Sequence, residues 1–232
     1  MAVMLGYEIG ITPGDEEGDA WMIQWRNRLG SWLLGLALAA ALGGAWSGAA
    51  QAAELWTIDP ERSEVIYRVE ETFLQQVTRG TAVGVTRAVE GEIRMDPARL
   101  QEMEVSPVRV DISQFKSDQS RRDERIRRQW LESARYPIAQ FVVTSVEGLP
   151  EQYRVGEAVP VRVHGELTVR ETTRPVTWEG VLTLEDGLLK GELETEILMT
   201  DFGFEPPSIL GVLRADNEVH LIFNFTAVRQ QG

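Results

Sequence analysis

The chain has no cysteine and only two histidines among its 232 residues. Without cysteine there are no disulfides, no thiolate metal sites, no cysteine nucleophile and no lipoprotein-type lipidated cysteine. A shared metal site would have to bring His164 and His220 together beside a carboxylate. Both fall on the polar parity of predicted strands, so no metal ligand is assigned. The motifs G-x-S-x-G and H-E-x-x-H are absent. Asp201-Phe202-Gly203 resembles the metal motif of kinases, but no glycine-rich phosphate loop accompanies it. Carboxylates are plentiful, yet they alternate with apolar residues. That places them on the wet face of a sheet, not in a glycosidase-like pair. No catalytic residue and no cofactor is assigned, and the chain reads as a non-enzyme. Positive charge is also scarce. The formal charge is −13, which argues against nucleic acid as a partner because phosphates would be repelled.

A leader occupies the start. Arg26 and Arg28 precede an apolar run from Leu29 to Trp46, rich in leucine and alanine. Ala50-Gln51-Ala52 fits an A-x-A cleavage site, so residues 1–52 read as an extension plus a signal peptide cleaved after Ala52. The expected location is periplasmic or secreted. An uncleaved N-terminal membrane helix is the alternative, since the run is nearly long enough to span. Residues 1–21 are too acidic for a signal n-region and Met22 would begin a more ordinary one, so one reading makes 1–21 a start-site error. Without the five acids and two arginines of residues 1–52, the remainder holds 31 acidic and 21 basic side chains, a net of −10. Residues 53–232 form one domain of ordinary size.

From Trp56 onward strand alternation dominates. Val65, Tyr67 and Val69 share one parity; Val108, Val110 and Ile112 share another. Ile138 to Val146 reads as strand. Val163 and Leu167 belong to a further run, as do Val176 and Trp178. Asp186-Gly187 is a hairpin dipeptide, and Leu193 and Ile197 lie on its return strand. Phe223 and Phe225 close the series. About eight antiparallel strands joined mostly by short turns predict a mainly β barrel or sandwich. Single glycines on the apolar parity (Gly91, Gly165, Gly180, Gly191) suggest strong coiling or close approach, as in a closed barrel.

One helix interrupts the strands, predicted over residues 118–134. Six arginines fall between Arg121 and Arg135 in an otherwise acidic protein. Ser120 is its predicted N-cap, with Asp123 at capping-box spacing. Ile126, Trp130, Leu131 and Ala134 share one face. Asp123 and Arg127 fall within that face at i, i+4 and are predicted to pair as a structural anchor. Arg121, Arg125, Arg128, Glu132 and Arg135 point the other way, toward solvent, or toward anionic lipid headgroups in a peripheral membrane contact.

These motifs together resemble the YceI-like family of bacterial secreted proteins. The resemblance rests on Trp56-Thr-Ile-Asp59 with Ser63-x-Val65-x-Tyr67, and on Asp111-Ile-Ser. It continues through Arg122-Asp123-x-x-Ile126-Arg127, Tyr136-Pro137-x-x-x-Phe141, Gly165-Glu-Leu167-Thr168 and Thr200-Asp201-Phe202-Gly203. It runs from Leu55 to Val228. It implies a lipocalin-like barrel whose apolar cavity holds a polyisoprenoid, an isoprenoid quinone or a similar amphiphile. The expected lining is Val65, Tyr67, Val110, Ile112, Phe141 and Val163, with Leu167, Trp178, Leu193, Ile197, Phe223 and Phe225. A secreted β-sandwich with a filled core, acting as an envelope interaction module, is the alternative. Oligomeric state stays open, a dimer being one option. Two stretches depart from the family pattern. Gly80 to Arg87 reads GTAVGVTR, without a clear glycine–aromatic pair, and Glu205 to Leu213 carries a double proline expected to reshape the cavity mouth.

Overall fold

The computed structural model describes residues 53–75, 77–96, 98–209 and 212–230. The expected signal segment, its cleavage after Ala52 and its alternative as a membrane anchor lie outside the described residues. Fourteen strand segments follow in order: β1 (Glu54–Ile58), β2 (Glu64–Phe73), β3 (Thr78–Thr86), β4 (Val89–Glu90), β5 (Glu92–Met95), β6 (Glu104–Val105), β7 (Val108–Asp111), β8 (Ile138–Glu147), β9 (Ala158–Val169), β10 (Thr172–Glu185), β11 (Leu188–Leu198), β12 (Ser208–Ile209), β13 (Leu213–Ala215) and β14 (Glu218–Arg229).

Their registers run on across the breaks. β1 and β2 face one antiparallel run made of β3, β4 and β5: Val65 opposes Thr86, and Trp56 opposes Ile93. β6 and β7 form another run, interrupted at Pro107, with Val105 opposite Ile93 and Val110 opposite Val89. β13 and β14 together follow β2, through Ala215–Glu71 and Leu221–Tyr67. Eight runs result, each antiparallel to the next. β8, β9, β10 and β11 complete the series, and β14 pairs back to β1 with Trp56 opposite Arg229. The sheet is a closed eight-stranded meander, a lipocalin-like barrel. A single ring leaves no second sheet, so the sandwich architecture is excluded.

The connections alternate between two ends. The β2–β3, β7–β8 and β9–β10 strand ends, with the end of β11 and the start of β13, lie at what we term the upper end. The β5–β6, β8–β9 and β10–β11 strand ends lie at the lower end. Alternation along each strand sends valine, leucine and aromatic side chains inward. Two glycines let large rings lie flat across the neighbouring strand. A Cβ on Gly191 would sit 2.1 Å from the ring of Phe225, its cross-strand partner; one on Gly84 would sit 2.2 Å from the ring of Tyr67. The glycine–aromatic pairing that is unclear along Gly80 to Arg87 is thus made across strands. Gly191→Val must push the Phe225 ring aside. The expected loss is about 1–3 kcal/mol in urea unfolding, shrinking when Phe225→Ala removes the clash.

The helix spans less than predicted. α1 (Ser120–Arg125) is regular, and Ile126–Trp130 continues it as a wider turn. There the Leu131 N–H donates to the Ile126 carbonyl at 2.9 Å, an i→i−5 bond. Glu132, at φ 46°, then turns the chain out of the helix. Ala134, predicted on the buried face, is therefore exposed. Ser120 is not the cap. Gln119 holds that position, with no side-chain bond to the helix.

Candidate functional site

Inside the ring lies a cavity of about 240 Å³. All twelve residues expected to line it do so. Val65, Tyr67, Val110 and Ile112 come from the first runs; Phe141, Val163, Leu167 and Trp178 from the middle; Leu193, Ile197, Phe223 and Phe225 from the last. Rings meet edge-on within the wall, Phe141 against Trp178 at 6.1 Å and Tyr67 against Phe115 at 5.1 Å between centroids. Period two carried this information, because a closed barrel buries one parity of every strand.

Ile126, Trp130 and Leu131 of the helical segment also line the cavity. The helix is thus part of the upper wall. So are Phe204 and Pro207, from the double-proline connection that departs from the family pattern.

The predicted Asp123–Arg127 pair is not made. Asp123 is 7% exposed, and its carboxylate accepts the Ser117 N–H at 3.0 and 3.1 Å and the Ser117 hydroxyl at 2.6 Å. Arg127 donates to the carbonyls of Phe115, at 3.2 Å, and Ser113, at 3.5 Å. Both face inward as expected, but each is satisfied by the chain entering the helix. Backbone partners at fixed distance win over a flexible i, i+4 contact. At the other end, Arg170 donates to the Trp130 carbonyl and pairs with Glu132. Of the outward arginines, Arg128 pairs with Glu124 and Arg135 with Glu171, while Arg121 and Arg125 are exposed.

The residue that sequence reading missed is Glu71. It lines the cavity and is 7% exposed. Among the described residues, Glu71 and Gln140 are the only ones lining the cavity with a charged or amide side chain. Glu71 Oε2 accepts from Arg122 at 3.4 Å, and Arg122 in turn pairs with Asp118 at 2.5 Å. Burial pushes the Glu71 carboxyl up, with Arg122 opposing and Asp118 adding to the rise. The signal was present. Val65, Tyr67 and Val69 set an inward parity, and Glu71 is its next member.

Tyr67 carries the largest shift. Burial pushes its phenol up to about 12; Asp123 adds to this and Arg122 opposes it. An unfolded tyrosine ionises near 10.0. Between those values the unfolded chain loses a proton that the folded chain keeps. Tyr67 therefore stabilises the fold fully below pH 10.0, and its contribution falls as pH rises toward 12. Spectrophotometric titration should show a phenol ionising near 12 that Tyr67→Phe removes.

His164 lies 3.3 Å from Glu147 and His220 lies 3.1 Å from Glu196, on strands that do not adjoin. Among the described residues no cluster of three acidic or histidine side chains is placed to hold a metal.

A lidded, eight-stranded antiparallel barrel around an apolar cavity defines a lipocalin-like class. Residues 56–227 match the model of the YceI-like domain. The chain belongs to the YceI-like family. No curated protein matches it in sequence. Among solved structures it is similar to a polyisoprenoid binding domain from Saccharophagus degradans implicated in plant cell wall breakdown, with a TM-score of 0.59 at 15% identity. That match covers 75% of this chain and 98% of the other. BcnA of Burkholderia cenocepacia gives a TM-score of 0.58 at 17% identity, covering 74% of this chain and 99% of that one. At these identities the likeness is one of fold.

Proposed function

We propose that the protein is a secreted or periplasmic carrier that holds a polyisoprenoid, an isoprenoid quinone or a similar amphiphile inside the barrel. The observation that carries this reading is the cavity itself, walled by apolar side chains on every strand run and under the helix. Burying one five-carbon isoprene unit contributes roughly 3–4 kcal/mol, at about 0.8 kcal/mol per carbon. Association and ordering take back much of that. Several units in series still bind firmly with no ion pair, and such a protein needs no catalytic group. The bacterial family and the fold shared with a polyisoprenoid binding domain support the reading. Export rests on the leader pattern from Arg26 to Ala52.

Native mass spectrometry of the purified residues 53–232, paired with organic extraction, tests it. The expected result is a co-purifying apolar molecule, or uptake of an added long-chain isoprenoid by the empty protein. A protein that is empty and refuses long isoprenoids would overturn the reading.

A further inference from the structure

The cavity's one charged lining residue has a consequence for what the barrel admits. Glu71 enters from β2 at the upper end, where its neighbours across the sheet are Gly80 and Ala215. Its side chain is 9% exposed. One oxygen, Oε2, faces Arg122, and among the described residues no side-chain hydrogen bond reaches Oε1. The surrounding charge is unbalanced. Glu71 and Asp118 share the single guanidinium of Arg122, while the Asp123 carboxylate is taken up by Ser117. Arg127, one helical turn on, spends its guanidinium on the Ser113 and Phe115 carbonyls. Arg79 and Arg214 flank Thr72 on the outer parity of the same strands and are exposed. Burial is the main cause of the raised Tyr67 phenol; Asp123, Glu71 and Asp118 add to the rise and Arg122 opposes it.

We propose that Glu71 selects the guest by its head, accepting a hydrogen bond from the hydroxyl of a polyprenyl alcohol and turning away phosphorylated isoprenoids. This rests on the cavity being an isoprenoid site. An ionised carboxylate only accepts hydrogen bonds, so a hydroxyl suits Oε1. A phosphate offers oxygens alone and carries its own negative charge into a partly desolvated site. Like charges brought together there are strongly unfavourable, and discrimination then comes from repulsion of the wrong head, not from extra attraction to the right one.

The experiment is a competition. Protein carrying residues 53–232 is offered an equimolar mixture of a polyprenyl alcohol and its monophosphate of the same chain length. The bound ratio is read by native mass spectrometry. The alcohol is expected in excess by about tenfold or more. Glu71→Gln should bring the ratio toward one. Glu71→Ala should do the same and gives an independent arm if Glu71→Gln folds poorly. Equal uptake, an excess of the monophosphate, or a Glu71→Gln protein that keeps the full preference would overturn the role of Glu71 and leave the isoprenoid reading standing. Uptake of neither lipid would overturn that reading itself, and the selection with it.

Discussion

Phe223→Glu is expected to abolish retention of an isoprenoid guest. Phe223 is 9% exposed on β14, with Val65 and Leu193 as its neighbours across the sheet and the Phe225 ring 5.0 Å away. A carboxylate there would stand among apolar walls, where the one charged lining residue among those described, Glu71, is itself acidic. An unpaired buried charge either draws in water or takes up a proton. Either way the guest loses apolar contact at mid-barrel depth. Affinity should fall by about 100-fold or more, equivalent to ~2.8 kcal/mol. Val163→Glu, on the far side of the ring and 7% exposed, should act alike. Glu194→Gln lies next to Leu193 on the exposed parity and should leave uptake unchanged. Titration with an isoprenoid, followed by the fluorescence of the lining residues Trp130 and Trp178, reads all three. Undiminished uptake by a folded Phe223→Glu protein would place the guest outside this cavity.

Asp123→Ala is expected to be the most damaging single change in the helical lid. It removes the carboxylate that accepts the Ser117 N–H and hydroxyl, and it leaves a backbone donor without a partner. Hydrogen bonds to a charged acceptor and an orphaned donor together correspond to about 3 kcal/mol. Arg125→Ala, two residues on but exposed, should stay within about 0.5 kcal/mol. Urea denaturation of the two variants gives the comparison. Equal, small losses would mean the lid is held by its apolar contacts alone, through Ile126, Trp130 and Leu131.

Much of the barrel was legible because one rule repeats along it. Each strand run has one buried parity, so twelve residues chosen by parity all reached the cavity wall. The same rule, carried one step past Val69, reaches Glu71. It was missed because a glutamate reads as wet-face by type. The helix was less legible. Helical phase placed Ile126, Trp130 and Leu131 on one face, but the pairing of Asp123 with Arg127 assumed an isolated helix. In the fold, the entering chain at Ser113, Phe115 and Ser117 offers backbone groups that no spacing rule anticipates. The early end of the helix was equally hidden, since it depends on the positive φ of Glu132 and on Arg170 reaching across from the β9–β10 turn.

The closed meander also implies an order of assembly. Every pairing but one joins runs adjacent in the chain, the longest link being the helical segment between Asp111 and Ile138. The exception is the seam between the last run and the first, where Thr226 N–H donates to the Ser63 hydroxyl across 163 residues of sequence. Closing a loop of that size carries more entropy loss than any hairpin, and it is repaid only once the rest of the ring is in place. Until then β1 and β14 are free edges, open to pairing with another chain. The interior space does not exist before the seam shuts, so an amphiphile present during folding binds the zipped state alone and draws the closing step forward.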